Sequence, residues 1–500
     1  MPDFVARNAR RIPDRPALVW QGRTFTWRAL NARIDRLANG LKARGVRAGT
    51  PVIYALDNGP EVVELVEALG RLGAVAVPML ARSVEREIAH VAADVGAGAI
   101  VVGADAAEPT GIDTVIRLGE DYDRLVRNAS AEPVDVARDP DAPIMIRYTS
   151  GTTGEPKGVI RTRRLVETAT LMYLAHAPQT QTDSLAICSP LTVGLAGALL
   201  QVAFAAGATC HVMPKFDAGG LLELIAREKV TMGYAIMSMF DEVTRHPDLD
   251  RFDLTSLRHF TGSSATQDTL GGLQRLRAHP TFRGALFNAY GSTECGGYIA
   301  VHAPDELEAE ISDPSLAHRV ESIGREAILC RVECVDDDGR PVRQGEVGEM
   351  AVRAPTLFKG DWNRPDETAE VLRDGWLYTG DMAWRDADGF IFLAGRKRDM
   401  IKSGGLNVYP AEVEFVLSAL PMLAEVAVVG VPDARWGEKV VACVVARAPV
   451  APEEVIRFCQ GKLAGYKIPK DIIVMDALPH NETGKVVKRE LRERLVAAKR

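Results

Sequence analysis

The regular alternation of helix-like and strand-like segments over the first 130 or so residues restricts the fold most strongly. One helix-like segment carries apolar side chains at helical spacing, namely Val62, Val63, Leu65, Val66, Leu69 and Leu72. The short apolar run Ala74–Met79 follows it and has the length of a buried strand. Repeated units of this kind predict a largely parallel sheet covered by helices.

Later segments have a different pattern of apolar and polar residues. Residues 328–353 alternate tightly around the turn sequence DDDGRP, which predicts antiparallel β structure. After Gly395 a basic, Gly-rich stretch leads into a helix–strand–strand–helix pattern of domain size. The predicted fold class is α/β, with a large N-terminal domain of αβ-layered subdomains and a β-rich subdomain. A small α+β C-terminal domain follows, and the expected domains are residues 1–397 and 398–500.

Composition and charge exclude several classes of protein. The chain has 47% hydrophobic and 25% charged residues and a net charge of −7, so a general nucleic-acid surface is not expected. Seven scattered cysteines argue against a disulfide framework and for a reducing, cytoplasmic location. The N-terminus lacks the apolar run of a signal peptide. The uncharged stretch Leu191–Cys210 is diluted by glycine and alanine, and it predicts a buried helix and strand instead of a membrane span.

The segment Thr149–Gly158, TSGTTGEPKG, has the chemistry to hold a polyphosphate, and it follows the predicted strand Ile144–Tyr148. Its glycines let the backbone approach an anion closely, its hydroxyls supply donors, and Lys157 supplies a compact positive charge. A P-loop is excluded because its motif needs Gly-Lys-Ser/Thr, whereas Pro156 and Gly158 flank the lysine here. An ordinary polar surface turn is the plainer alternative.

Five motifs occur in one order along the chain: YTSGTTGEPKG, NAYGSTE, YTGD, GRKRDMIKSGGLNVYP and NETGK. In these motifs the chain resembles the acyl- and aryl-CoA synthetases of the adenylate-forming superfamily, whose relatives include peptide-synthetase adenylation domains and luciferases. The resemblance covers essentially the whole chain. It implies an ATP-dependent enzyme that activates a carboxylic acid as an acyl-adenylate, with ATP, Mg²⁺ and coenzyme A as its cofactors.

The resemblance also implies roles for residues in the large domain. Tyr290 is expected to pack on adenine, Thr293 to contact the α-phosphate, and Glu294 to hold Mg²⁺. Asp381 and Arg396 are expected to bind the ribose. The full nucleotide-binding set implied by the resemblance is Thr149, Ser150, Gly151, Thr152, Thr153, Gly154, Lys157, Asn288, Ala289, Tyr290, Gly291, Ser292, Asp381 and Arg396.

Two further motifs give the small domain its expected role. By resemblance, Lys485 lies between the substrate carboxylate and the α-phosphate, where its charge stabilises the transferring centre. Lys402, Gly404 and Gly405 are expected to line the channel for the thiol in a second conformation. Lys485 and the thiol channel cannot occupy the same face of the site at the same time. The resemblance therefore implies a mobile small domain that rotates about a hinge at Arg398.

The acid pocket departs from the family pattern. The family often has histidine where this chain has Val193, in Pro190-Leu-Thr-Val-Gly194. The hypothesis is that Val193 and Gly194 reshape the pocket for a bulky or unusual carboxylate. The remaining expected pocket residues are mostly apolar or small and favour an apolar acyl or aryl tail, namely Tyr234, Met237, Gly262, Ser263 and Ala289.

Three points stay open at this stage. The thiol could belong to coenzyme A or to the phosphopantetheine of a carrier protein. A luciferase-type oxidoreductase and a non-enzymatic binding protein are the rival classes. The oligomeric state is undetermined, with a homodimer among the options, and no nucleic-acid partner or membrane span is expected.

Overall fold

The computed structural model describes residues 3–107, 111–134, 139–149, 156–263, 275, 279–480 and 486–497. Two large sheets, each covered by helices, form most of the N-terminal part. A β-rich unit follows them, and a smaller α+β domain ends the chain. The predicted fold class, a large α/β domain with a smaller α+β domain, is therefore confirmed.

The first sheet has nine strands, with parallel pairing through its centre and antiparallel pairing at both edges. In spatial order its strands are β15 (Arg325–Glu326), β14 (Ala300–His302), β13 (Leu286–Tyr290), β12 (His259–Ser263), β11 (Met232–Ile236), β9 (Ser184–Ile187), β10 (Thr209–Val212), β1 (Pro16–Trp20) and β2 (Arg23–Thr26).

The second sheet has six strands, and an antiparallel hairpin closes one edge. Its spatial order is β6 (Val115–Arg117), β5 (Ala99–Val102), β3 (Pro51–Ala55), β4 (Val75–Met79), β7 (Pro143–Thr149) and β8 (Lys157–Thr162). The predicted strands at Ala74–Met79 and Ile144–Tyr148 are confirmed as β4 and β7.

Helices cover both sheets, and the sequence marks many of their ends. The hydroxyl of Thr162 caps the helix that follows β8 by accepting from the Leu165 N–H at 3.2 Å. Gly207, with φ of 81°, ends the helix that begins at Gly194. The helices of this part are α1 (Phe4–Arg11), α2 (Trp27–Ala43), α3 (Pro60–Leu72), α4 (Glu85–Val95), α5 (Glu120–Asn128), α6 (Arg163–His176), α7 (Gly194–Ala206), α8 (Ala218–Glu228), α9 (Met237–Thr244), α10 (Pro280–Arg283) and α11 (Pro304–Ser312).

The largest hydrophobic core lies between the two sheets and includes side chains of α2, α3 and α7. The uncharged stretch 191–210 becomes α7 and the start of β10, as predicted, and Phe204 of α7 packs edge-on against Trp27 of α2. Among the described residues, no helix has both the length and the apolar character that a bilayer crossing requires. All seven cysteines are free thiols.

The β-rich unit is an antiparallel sheet, as the alternation in residues 328–353 predicted. Its strands are β16 (Arg331–Val335), β17 (Gly348–Arg353), β18 (Leu372–Arg373), β19 (Trp376–Arg385) and β20 (Ile391–Arg396), with helix α12 (Pro365–Val371) before β18.

The C-terminal domain has one five-stranded sheet with an apolar cluster on each face. Its strands are β21 (Ile401–Ser403), β22 (Leu406–Val408), β23 (Leu423–Asp433), β24 (Gly437–Ala446) and β25 (Asp471–Val474), and its helices are α13 (Pro410–Ser418), α14 (Pro452–Cys459) and α15 (Lys488–Ala497). Short 3₁₀ helices occur at Leu249–Arg251, Pro314–Glu321 and Lys397–Asp399.

Candidate active site

The predicted phosphate loop connects the two strands of the β7–β8 hairpin. The register of this hairpin pairs Thr149 with Lys157, so these two residues lie at the end of the hairpin next to the loop. Both are partly exposed. The loop residues Ser150, Gly151, Thr152, Thr153 and Gly154 lie outside the described residues.

Lys157 meets acidic side chains that the sequence analysis did not single out. Its ammonium forms an ion pair with the Glu367 carboxylate of α12, which also lies 3.6 Å from the Arg364 guanidinium. Asp361 bridges to Val159 of β8 and is half-buried, and burial, followed by the nearby Glu294, raises its pKa although Lys157 opposes this. Asp361 therefore lies near both the Lys157 ammonium and the Glu294 carboxylate.

Glu294 is held by a tightly packed backbone. Its carbonyl accepts from the Phe358 N–H at 2.8 Å. Two residues later Gly296 has φ of 71°, and a Cβ there would lie 2.1 Å from the Thr356 carbonyl oxygen. The segment 291–296, which follows the end of β13, thus has a conformation that requires glycine at position 296. The side chains of Thr293 and Glu294 in this segment are partly exposed.

Asp381 is buried and joins two other polar side chains. Its Oδ1 lies 2.7 Å from the Arg396 Nε, and its Oδ2 accepts from the Tyr290 hydroxyl. Burial and then the Asp381 charge raise the pKa of Tyr290 well above its ordinary value, so the phenol stays protonated and donates. The structure therefore brings together three predicted residues from β13, β19 and β20. The predicted stacking of Tyr290 on adenine stays a prediction.

The YTGD motif lies in a strand. Tyr378–Asp381 belong to β19, which is irregular here, because Gly380 has φ of 70° and the pairing with β17 shifts register between Tyr378 and Met382. The turn that leads into β19 lies upstream, where Asp374 has φ of 51° and Gly375 has φ of 76°. The antiparallel pairing of β19 with β20 places Asp381 directly opposite Arg396, which explains why these two residues share one site.

The basic Gly-rich segment becomes a β-hairpin of the C-terminal domain. Gly404 and Gly405, with φ of 60° and 81°, form the turn between β21 and β22. Both residues have the left-handed backbone conformation that favours glycine. Lys402 is exposed on β21. Arg398 is also exposed, in the 3₁₀ helix that precedes β21.

The predicted catalytic residue Lys485 lies outside the described residues. The residues on either side of its segment, His480 and Val486, form an antiparallel bridge. Val486 packs against the apolar cluster that also contains Leu478 and Leu491.

A cavity lies between α3, α6, α7 and the β7–β8 hairpin, and Gly194 is one of its lining residues. Other residues predicted for the acid pocket lie in the core. Tyr234 is fully buried with its hydroxyl 2.5 Å from the Ser189 Oγ, and Ala289 is buried on β13. A Cβ on Gly262 would lie 2.8 Å from the Phe240 ring. Val193 is partly exposed at the start of α7, and the side chains of Met237 and Ser263 lie outside the description.

The described residues contain no group of three or more side chains arranged to hold a metal ion by themselves. Mg²⁺ bound with a polyphosphate needs only one or two carboxylates, because the phosphates supply other ligands. Glu294 and Asp361 have the chemistry for this limited role.

Comparison with known proteins identifies the family. Residues 5–362 match the model of the AMP-binding enzyme family, and residues 412–485 match that of the AMP-binding enzyme C-terminal domain. The chain is 35% identical to a feruloyl-CoA synthase of an Amycolatopsis species over 98% of both chains. It is 33% identical to a long-chain-fatty-acid–CoA ligase of Mycobacterium tuberculosis over 95% of this chain and 93% of that one.

Solved structures agree with the sequence comparison. The o-succinylbenzoate–coenzyme A synthetase of Bacillus subtilis in complex with ATP and magnesium ion has a TM-score of 0.87 at 29% identity, over 98% of this chain and 99% of that chain. The relatives are CoA ligases, which confirms the predicted enzyme class, an AMP-forming acyl-CoA synthetase. The chain is therefore a member of the AMP-binding enzyme family.

Proposed function

We propose that this enzyme is an ATP-dependent ligase that joins a carboxylic acid to the thiol of coenzyme A through an acyl-adenylate. The observation that carries the proposal is the convergence of β13, β19 and β20 on Asp381, with Tyr290 and Arg396 as its partners. A buried carboxylate with a fixed orientation suits the vicinal hydroxyls of a ribose, each of which can donate to it.

In the first half-reaction a carboxylate oxygen of the acid attacks the α-phosphorus of ATP. The bond between the α-phosphorus and its bridging oxygen breaks, and pyrophosphate leaves with the electron pair. Lys157 and the 149–154 loop hold the β- and γ-phosphates, Thr293 contacts the α-phosphate, and Asp381 fixes the ribose. Lys485 stabilises the charge that develops on the transferring phosphoryl group.

Mg²⁺, when bound, neutralises charge on the phosphate oxygens. Glu294 would hold it, with Asp361 as a second carboxylate, since the two carboxylates lie near each other. A third acidic residue, Glu367, forms an ion pair with Lys157, which suggests that it positions the lysine side chain. Glu367 keeps the ammonium in place until phosphate oxygens replace the carboxylate.

In the second half-reaction the sulfur of coenzyme A attacks the acyl carbonyl, the acyl–oxygen bond to AMP breaks, and the thiol proton goes to solvent. The hairpin turn at Gly404 and Gly405 lines the channel for the thiol, and Lys402 is a contact there. This requires a domain boundary near residue 398 and rotation about Arg398. The exposed 3₁₀ turn that contains Arg398 is compatible with a change of backbone conformation.

A panel of carboxylic acids tests the activity and its substrate class together. Pyrophosphate release is measured first, and the product is then analysed by mass spectrometry with free coenzyme A supplied. An acyl-CoA product supports the proposal. Pyrophosphate release without acyl-CoA would instead indicate a carrier-protein thiol as the acceptor.

The acid has an apolar body in this proposal, since apolar side chains predominate around the cavity that Gly194 lines. Val193 in place of the usual histidine leaves an apolar entrance. The relatives act on feruloyl and long-chain acyl groups by name, which supports a substrate larger than acetate. Activity confined to acetate or propionate would contradict this part of the proposal.

A further inference from the structure

Two arginine side chains line the cavity beside Gly194, and both are almost completely buried. Arg147 of β7 is 8% exposed and Arg161 of β8 is 7% exposed. Neither residue belongs to a sequence motif, and a single charge in an apolar strand does not reveal where its side chain ends.

Neither guanidinium has a carboxylate partner in the part of the chain that the structure describes. Arg147 donates from Nη1 to the Thr192 carbonyl at 2.8 Å and from Nη2 to the Met145 sulfur at 3.5 Å, and Arg161 donates from Nη2 to the Gly296 carbonyl. The Nε of each is buried and meets no acceptor among the described residues. A guanidinium has five N–H donors, so much of the donor capacity of both groups remains unused.

Burial of two like charges without a counter-ion is unfavourable. Burial, and then the neighbouring Arg147, lowers the pKa of Arg161 to about 10, and burial lowers the pKa of Arg147. Both groups remain protonated near neutral pH. Desolvating an unpaired ion is unfavourable even after the protein relaxes, so a bound anion would be favoured here.

The cavity has the right size and place for such an anion. Its volume of about 40 Å³ holds roughly three water molecules, so it can take a small anionic group. A Cβ on Gly194 would lie 3.8 Å from the Arg147 Nη1, so the arginine borders the predicted acid pocket directly.

Strand geometry relates the arginines to the reacting centre. Side chains two residues apart point to the same face, so Arg147 shares its face with Thr149, about 7 Å further along β7. The carbonyl that Arg161 contacts belongs to Gly296, two residues after Glu294. A substrate that extends from the phosphates into the cavity would therefore bring its far end to the two guanidiniums.

We infer that Arg147 and Arg161 form a subsite for a second carboxylate on the acid substrate, at the end distant from the carboxylate that is activated. The substrate class is then a dicarboxylic acid with an apolar body. This inference rests on the proposed ligase function, since it names the substrate class of the same site.

Pairs of straight-chain acids test it, from succinate to dodecanedioate, each compared with the monocarboxylate of equal length. At the best length, kcat/KM for pyrophosphate release should be about tenfold or more higher for the dicarboxylate. Arg147→Met and Arg161→Met should each lower this value roughly 10- to 100-fold, the range for losing hydrogen bonds between charged groups. The same variants should leave the monocarboxylates unchanged or improve them, and Arg161→Lys should restore part of the preference.

Arg163→Met is the matched control, because Arg163 is also a buried arginine but does not line the cavity. It should change kcat/KM for both acids of a pair by the same factor. A parallel loss for both acids in the Arg147 and Arg161 variants, or a preference of the wild type for monocarboxylates at every length, would overturn the inference.

Two further measurements separate the remaining outcomes. Titration calorimetry of the wild type and of Arg161→Met with the paired acids measures binding without turnover. Tighter dicarboxylate binding by the wild type alone supports the subsite even if no acid is adenylated, and equal binding overturns it. Activation of monocarboxylates by chloride, without a preference for dicarboxylates, would mean that a free anion occupies the cavity and would also overturn it.

Discussion

Replacing Asp381 with asparagine tests the nucleotide-binding geometry without changing the size of the side chain. Asp381 is 6% exposed, and its two oxygens have separate partners, Tyr290 and Arg396. The Arg396 side chain is 47% exposed, so water can solvate its guanidinium after the charge of Asp381 is lost. We therefore expect the Asp381→Asn variant to fold with a modestly lower melting temperature.

The expected effect on ATP follows from the bonds that the carboxylate can make. An ionised carboxylate can accept from both ribose hydroxyls, whereas the amide offers one neutral oxygen. Hydrogen bonds to charged groups contribute roughly 1.5–3 kcal/mol, and about 1.4 kcal/mol corresponds to a factor of ten. The KM for ATP should therefore rise about 10- to 100-fold, while the KM for the acid changes little.

Pyrophosphate exchange with labelled ATP measures this change, with circular dichroism to confirm folding. Asp337→Asn is the matched control, because Asp337 also pairs with a basic side chain, Lys397 at 2.8 Å, but is almost fully exposed. The control should retain the wild-type KM for ATP. A folded Asp381→Asn variant with the wild-type KM for ATP would refute the proposed ribose contact.

Three other changes probe the surrounding site. Glu294→Gln should raise the Mg²⁺ concentration that gives half-maximal activity about tenfold, and an unchanged Mg²⁺ dependence of activity would remove Glu294 from the metal site. Asp361→Asn should raise the melting temperature at neutral pH. Burial raises the folded pKa of Asp361, so the ionised carboxylate of the wild type destabilises the folded state once the pH rises through that value. The gain in melting temperature should vanish below the ordinary pKa of 3.8, where the carboxyl is protonated in both the folded and the unfolded state. Gly296→Ala should lower the melting temperature and the adenylation rate together, since its Cβ would meet the Thr356 carbonyl oxygen, and a fully stable variant would contradict the described backbone.

The strands and helices were largely predictable, because they depend on local patterns. The hairpin strand at Ile144–Tyr148 and the buried helix within Leu191–Cys210 appear as expected in β7 and α7. The motif residues Tyr290, Asp381 and Arg396 also converge as the family resemblance implied.

What could not be predicted depends on contacts between distant parts of the chain. Asp361 and Glu367 lie in a polar stretch that resembles a solvated surface, and their proximity to Lys157 arises only when this stretch packs on β8. Arg147 and Arg161 stand in strands whose pattern gives no sign of a shared cavity.

The most direct test of the central claim, that one site performs two half-reactions with a different part of the small domain in each, uses Lys485→Ala. Adenylation, measured as pyrophosphate release, should fall by roughly 10²–10³-fold or more, the scale for losing one preorganised stabilising donor. Thioester formation from preformed acyl-AMP and coenzyme A should keep nearly its wild-type rate. Equal loss of both half-reactions in a folded variant would contradict the account.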